Sequence, residues 1–145
     1  MRLPSFLTPK TVVSAHCDLP CGVYDPAQAR IEAQSVKAMQ EKYLANEDPV
    51  FRARALKIID DRASLAKHHL AVLWHDYFKA EHFDKYPQLH MLINTTIKQA
   101  SGTGAKQKID PAEGQKLLDM IDEVARIFWE TKGKEYVLPQ SADQA

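Results

Sequence analysis

Cysteine is scarce in this 145-residue chain, which holds only Cys17 and Cys21. Four residues apart, they could close only a short loop that would staple nothing distant, so a disulfide scaffold is excluded. No charge dominates: 19 Lys and Arg face 19 Asp and Glu, which excludes the basic footprint of a nucleic-acid-binding domain. No apolar run approaches the ~18–20 residues of a bilayer span. Gly/Ser-rich tracts and charge blocks, the marks of a long disordered linker, are missing too. What remains, 45% hydrophobic and 26% charged, suits one compact soluble domain with a real core.

The opening MRLPSFLTPKTVVSA carries Arg2 and Lys10, no acid, and ends in the small residues Val13, Ser14 and Ala15. Pro4, Ser5, Thr8, Pro9 and Lys10 break its middle, whereas a secretory leader needs roughly 7–15 uninterrupted apolar residues. Residues 1–15 therefore read as a removable leader whose purpose is the end it exposes, cut at Ala15-His16, and the expected compartment is the cytoplasm. Removal leaves 17 basic against 19 acidic side chains, a formal charge of −2.

Asp-Pro occurs three times beyond the cysteines, at Asp25-Pro26, Asp48-Pro49 and Asp110-Pro111, each before an apolar pattern of helical period. Aspartate caps free backbone N–H groups, and proline is tolerated in a first turn where its missing N–H has no partner. The pattern predicts a first helix from about Pro26 to Ala45, with Ile31, Ala38 and Met39 inward. After Asp48, Leu56, Ile59, Ala63, Ala66, Leu70, Leu73 and Tyr77 recur in steps of three and four, a seam facing other helices. A third helix follows Tyr86-Pro87 with Leu89, Ile93 and Ile97 inward and stops at Ser101-Gly102-Thr103-Gly104. The fourth presents Leu117, Ile121, Val124 and Phe128 and ends near Gly133. No segment alternates like a strand. The expected fold is all-α, an antiparallel up-and-down four-helix bundle. The apolar tail through Tyr136, Val137, Leu138 and Pro139 should pack back on the bundle or on a neighbouring subunit.

Bundle packing leaves His16-Cys17-Asp18-Leu19-Pro20-Cys21-Gly22-Val23-Tyr24-Asp25 unexplained. Two thiolates and an imidazole favour a late transition metal such as nickel, copper or zinc over Mg²⁺ or Ca²⁺, which take oxygen ligands. A closed zinc site needs four ligands, and no second Cys pair exists. Cutting after Ala15 gives His16 a free amine. That amine, the next amide nitrogen and two thiolates make a planar N₂S₂ set suited to Ni(II) or Cu(II).

HCDLPCGVYDP followed by AQARIEAQSVKAM closely resembles the metal hook and first helix of the nickel superoxide dismutases. The resemblance implies one nickel ion per subunit, held by the amine and imidazole of His16, the amide nitrogen and sulfur of Cys17 and the sulfur of Cys21. It implies disproportionation of superoxide to O₂ and H₂O₂ through Ni(II) and Ni(III), and assembly as homohexamers. Glu32 and Arg62 match residues that orient the histidine ligand, Tyr24 and Asp18 match residues lining the substrate approach, and Pro20 matches a proline of the hook whose preceding peptide bond is cis. The implied layout is a leader over 1–15 and a dismutase domain over 16–145, with the hook at 16–24, the bundle at about 25–133 and the tail beyond. Two anionic thiolates and a deprotonated amide donate the charge that brings Ni(III) within reach, and the same thiolates are exposed to oxidation when the metal is missing.

A competing class is a nickel or copper carrier, in which the same hook stores metal without turnover. A purely structural bundle would leave the hook and the leader unexplained. His68 and His75 share a helix face but read as ordinary surface or core-edge histidines. Trp74, Tyr77, Phe78, Phe128 and Trp129 read as core or subunit contacts.

Overall fold

The computed structural model describes residues 21–103 and 108–139. His16, Cys17, Asp18 and Pro20 lie outside this range, as do the leader and the end of the tail. Among the described residues every regular element is helical: α1 (Ala27–Ala45), α2 (Pro49–Val72), a π-helical turn (Leu73–Tyr77) continuing α2, the short α3 (Ala80–Lys85), α4 (Leu89–Gly102) and α5 (Pro111–Thr131).

All three Asp-Pro signals start helices. The Asp25 Oδ1 accepts from the Ala27 N–H at 2.8 Å, Asp48 Oδ2 from the Phe51 N–H at 2.8 Å, and Asp110 Oδ1 from the Ala112 N–H at 3.0 Å. Each carboxylate satisfies a donor that the first helical turn leaves without a backbone partner. α5 ends where Gly133, at φ 69°, reverses the chain. The Gly133 N–H bonds the Glu130 carbonyl and the Lys134 N–H the Trp129 carbonyl, the paired closure of a Schellman motif.

α1, α2, α4 and α5 form the bundle, in a ring in which α1 touches α2 and α5, and α4 touches the same two. Cross-contacts make each neighbour antiparallel: Glu32 meets Arg62, Arg30 meets Asp122, and Gln99 meets Glu113. The up-and-down bundle expected from the pattern is therefore the observed fold. Ile59, Leu70, Leu89, Ile93, Leu117, Ile121, Val124 and Phe128 are fully buried, each stabilising the fold by about 1.5–3 kcal/mol.

The face of α1 differs from the expected one. Ala29, Ala33, Val36 and Gln40 are buried, whereas Ile31 is 58% exposed, Ala38 is exposed and Met39 is half-buried. α1 sits close between α2 and α5, and small side chains permit that approach. The tightest point is Gly114 of α5, where a Cβ would lie 2.6 Å from Gln40 Oε1 and 3.1 Å from the Lys37 backbone. On α2 the seam holds, except that Ala55 is buried where Leu56 is only half-buried.

Candidate metal centre

The last described part of the hook enters α1 at the end of the bundle where α2 finishes and α4 begins. α2 with its π turn, residues 49–77, outruns α1 by about ten residues, or ~15 Å of helix. Tyr77 of the overhang lies beside Tyr24 of the irregular segment Cys21-Gly22-Val23-Tyr24-Asp25. The Leu73–Tyr77 turn is closed by a Phe78 N–H bond to the Leu73 carbonyl at 2.9 Å. Such π turns insert one residue into the helical register and recur at functional sites.

Cys21 is exposed, and its thiol lies 3.9 Å from the Val23 carbonyl, a weak S–H donor contact. Gly22 takes φ 73°, a conformation that L side chains rarely adopt, and so lets the chain bend directly after the thiol. Tyr24 is half-buried against Tyr77, ring centroids 5.6 Å apart.

Tyr77 is the residue that the sequence reading placed only in the packing. Its ring lies 4.4 Å from Phe128 and 5.6 Å from His82, with the Lys132 ammonium 4.9 Å above it. The Thr131 hydroxyl donates to the Phe128 carbonyl at 2.6 Å, so it accepts from the Tyr77 hydroxyl, also at 2.6 Å. With one proton per hydroxyl, this fixes the direction of the Tyr77 O–H. The sequence marked this neighbour of Tyr24 only by its place at the end of the α2 seam and among the aromatic packing residues. Trp74, Phe78, Phe128 and Trp129 join the same apolar cluster, the packing role expected of them.

Glu32 and Arg62 meet across α1 and α2, with Nη1 at 3.1 Å and 3.4 Å from the two carboxylate oxygens. The Glu32 side chain is largely buried and that of Arg62 is partly exposed, so one carboxylate below the hook is held by a fixed cation. His68 and His69 pair edge to face, and His75 stacks on Trp74. Among the described residues no group of three or more His, Cys, Asp and Glu side chains could hold a metal ion. The exposed Cys21 thiol is the kind of donor a soft transition metal takes.

The chain matches the model of the nickel-containing superoxide dismutases over residues 11–132. It is 62% identical over 130 residues to the nickel superoxide dismutases of Streptomyces coelicolor and of Streptomyces seoulensis, covering 90% of this chain and 98% of each relative. Among solved structures, native nickel superoxide dismutase at 1.30 Å superposes with a TM-score of 0.77 and 64% identity, covering 81% of this chain and 99% of that one. A structure of the nickel-containing enzyme with ligation corresponding to the oxidised state gives 0.77, at 63% identity and the same coverage. These matches favour turnover over metal carriage, and the chain belongs to the nickel-containing superoxide dismutases, enzymes that disproportionate superoxide at a nickel centre.

Proposed function

We propose that the dismutase centre of this chain is built at a processed N-terminus, with residues 1–15 as the leader, 16–145 as the working domain, and His16, Cys17 and Cys21 as the residues that hold nickel. The observation that carries this reading is the Cys21 thiol, exposed on the strand that Gly22 bends and Tyr24 seats against Tyr77. The chemistry that bound nickel would supply is a Ni(II)/Ni(III) couple, which takes one electron from one superoxide ion to give O₂ and passes it to a second, which with two protons from water becomes H₂O₂. Cys17 and Cys21 contribute thiolate charge to that couple, and His16 contributes its amine and imidazole. Tyr24 and Asp18 line the approach, and Pro20 shapes the hook. With a formal charge of −2 on the trimmed chain, local cations must attract the superoxide anion.

Glu32, fixed by Arg62, sits one to two turns below the hook and orients the His16 imidazole through its far nitrogen, holding one tautomer. Glu32→Gln should lower kcat about 10–100-fold while nickel content changes little, as loss of an outer partner does at other metal sites. Unchanged turnover would remove Glu32 from this role. The exposed Ile31 and Met91 side chains support assembly into homo-oligomers, a hexamer in this reading, which light scattering would count. No helix of the described residues is long and apolar enough to cross a membrane, and the broken leader supports a cytoplasmic location, which cell fractionation would check.

The deciding experiment compares nickel-loaded protein beginning at His16 with the same protein still carrying Met1 to Ala15. Only the trimmed form should dismutate superoxide, because a peptide bond at Ala15-His16 replaces the ligand amine. Cys21→Ser in the trimmed form should reduce turnover to the metal-free background with helicity intact. Equal activity with the leader in place would overturn the maturation step, and loss of helicity in the serine variant would make Cys21 structural.

A further inference from the structure

The family match ends at residue 132, yet in the chain beyond it, where Val137 and Leu138 are exposed, Tyr136 is half-buried and tied to the bundle. Gly133 turns the backbone so that residues 134–139 run back beside the start of α1. Together with Asp25, Ala27 and Trp129, Lys134, Tyr136 and Val137 line a groove of about 350 Å³ there. Within it the Tyr136 hydroxyl donates to Asp122 Oδ1 at 2.6 Å, and the same oxygen receives the Arg30 Nε–H at 2.7 Å. One carboxylate oxygen thus ties together α1, α5 and the tail.

The place of Arg30 gives this junction its reach. Its backbone N–H bonds the Pro26 carbonyl at 3.2 Å, closing the first turn of α1, and Asp25 caps that turn immediately after the hook strand. The Arg30 and Asp122 side chains are each 13% exposed, so their pairing is made largely out of water, where a further donor to the carboxylate offsets lost solvation. Tyr136 supplies that donor. Its own burial first, and then the Asp122 bond, push its hydroxyl well above the ordinary value of 10.0, so it remains a donor at every physiological pH.

We infer that Tyr136 is a positioning residue for the nickel hook: through Asp122 it clamps the Arg30 turn of α1 and fixes the base from which Cys21 projects. Arg30 and Asp122 lie within the stretch matched to the family and Tyr136 beyond it, and the link of the clamp to catalysis rests on the hook reading above.

The test uses nickel-loaded protein beginning at His16 and its Tyr136→Phe and Tyr136→Ala variants, which remove the hydroxyl and the whole ring. Hydrogen exchange at the amides of residues 30–33 should quicken about tenfold in the phenylalanine variant, the loss of one charge-assisted hydrogen bond, and more in the alanine variant. Exchange in α4 should not change. In metal-free protein Cys21 should be alkylated faster, and kcat per bound nickel should fall at equal nickel content. Unchanged exchange at residues 30–33 in both variants would overturn the clamp. So would equal acceleration in every helix, which would make Tyr136 a general stabiliser. Failure of the hook reading looks different: the unaltered protein would take up no nickel, while the exchange contrast would still decide whether the clamp exists.

Discussion

The two ends of the bundle are built on different principles. At the far end, where α1 finishes and α5 begins, contacts are close and small: Gly114 lies against Lys37 and Gln40, and the buried Gln40 amide donates to the Thr103 carbonyl at 3.0 Å. At the hook end the helices are held apart by large rings, Tyr24, Trp74, Tyr77, Phe78, Phe128 and Trp129, and the backbone departs from the α-helix in the π turn and α3. Close packing of small groups leaves no room for a site. Rings with hydroxyl, imidazole and ammonium neighbours can present polar groups beside a metal loop while staying rigid.

The largest effect on stability should come from the hook end. Phe128 is fully buried and lies 4.4 Å from Tyr77, so Phe128→Ala should cost about 3–5 kcal/mol in urea unfolding. It should also lower turnover per bound nickel, because Tyr77 loses its backing. Gly114→Ala, at the far end, should cost about 1–2 kcal/mol, the overpacking against Lys37 and Gln40 outweighing alanine's better helix propensity. Turnover per bound nickel should stay the same. A Gly114→Ala protein of full stability and reduced turnover would break the division between the two ends.

The smallest effect is one of pH. Tyr136 keeps its proton in the folded chain to higher pH than in the unfolded one, because burial and then Asp122 raise its pKa above 10.0. Above pH 10 the unfolded state therefore releases a proton that the folded state retains, and stability falls as pH rises; below pH 10 the contribution is fully present. Asp25, Lys134 and Glu135 also line the groove, and Arg30 bonds the Asp122 oxygen that receives the phenol. Of the groups facing the phenol, the Asp122 charge opposes its ionisation and that of Arg30 favours it. Unfolding midpoints from pH 8 to 11 should fall less steeply in Tyr136→Phe than in the unaltered chain.

Much of this architecture was legible in advance. The Asp-Pro pairs marked three helix starts because a carboxylate cap and a proline first turn are local devices that need no tertiary partner. The α2 and α5 seams were legible because Ile59, Leu70, Ile121 and Phe128 are large and periodic. The inward face of α1 was not, because close approach selects alanine, whose hydrophobic signal is weak, while the larger Ile31 points outward. The π turn and α3 also escaped: the turn is closed by an i→i+5 bond from Phe78 to Leu73 and tied to α5 by the Tyr77 to Thr131 bond, and α3, at six residues, is too short to show a helical period. The proposed metal ligands were read from donor chemistry and from likeness to a known hook, and of them only Cys21 lies among the described residues. The neighbouring Tyr77 was visible only as one more aromatic, and the anchoring of Tyr136 on Asp122 requires the fold.

The number of long helices has a consequence of its own. Four antiparallel spans, an even count, return the polypeptide to the face from which it set out. Gly22 before α1 and Gly133 after α5 therefore bend the chain at the same end of the molecule, and the described chain enters and leaves the bundle there. A tag or fusion partner joined directly after residue 139 would stand at the same end of the bundle as Cys21, whereas the α1–α2 connection around Glu47 offers a place for a label at the opposite pole.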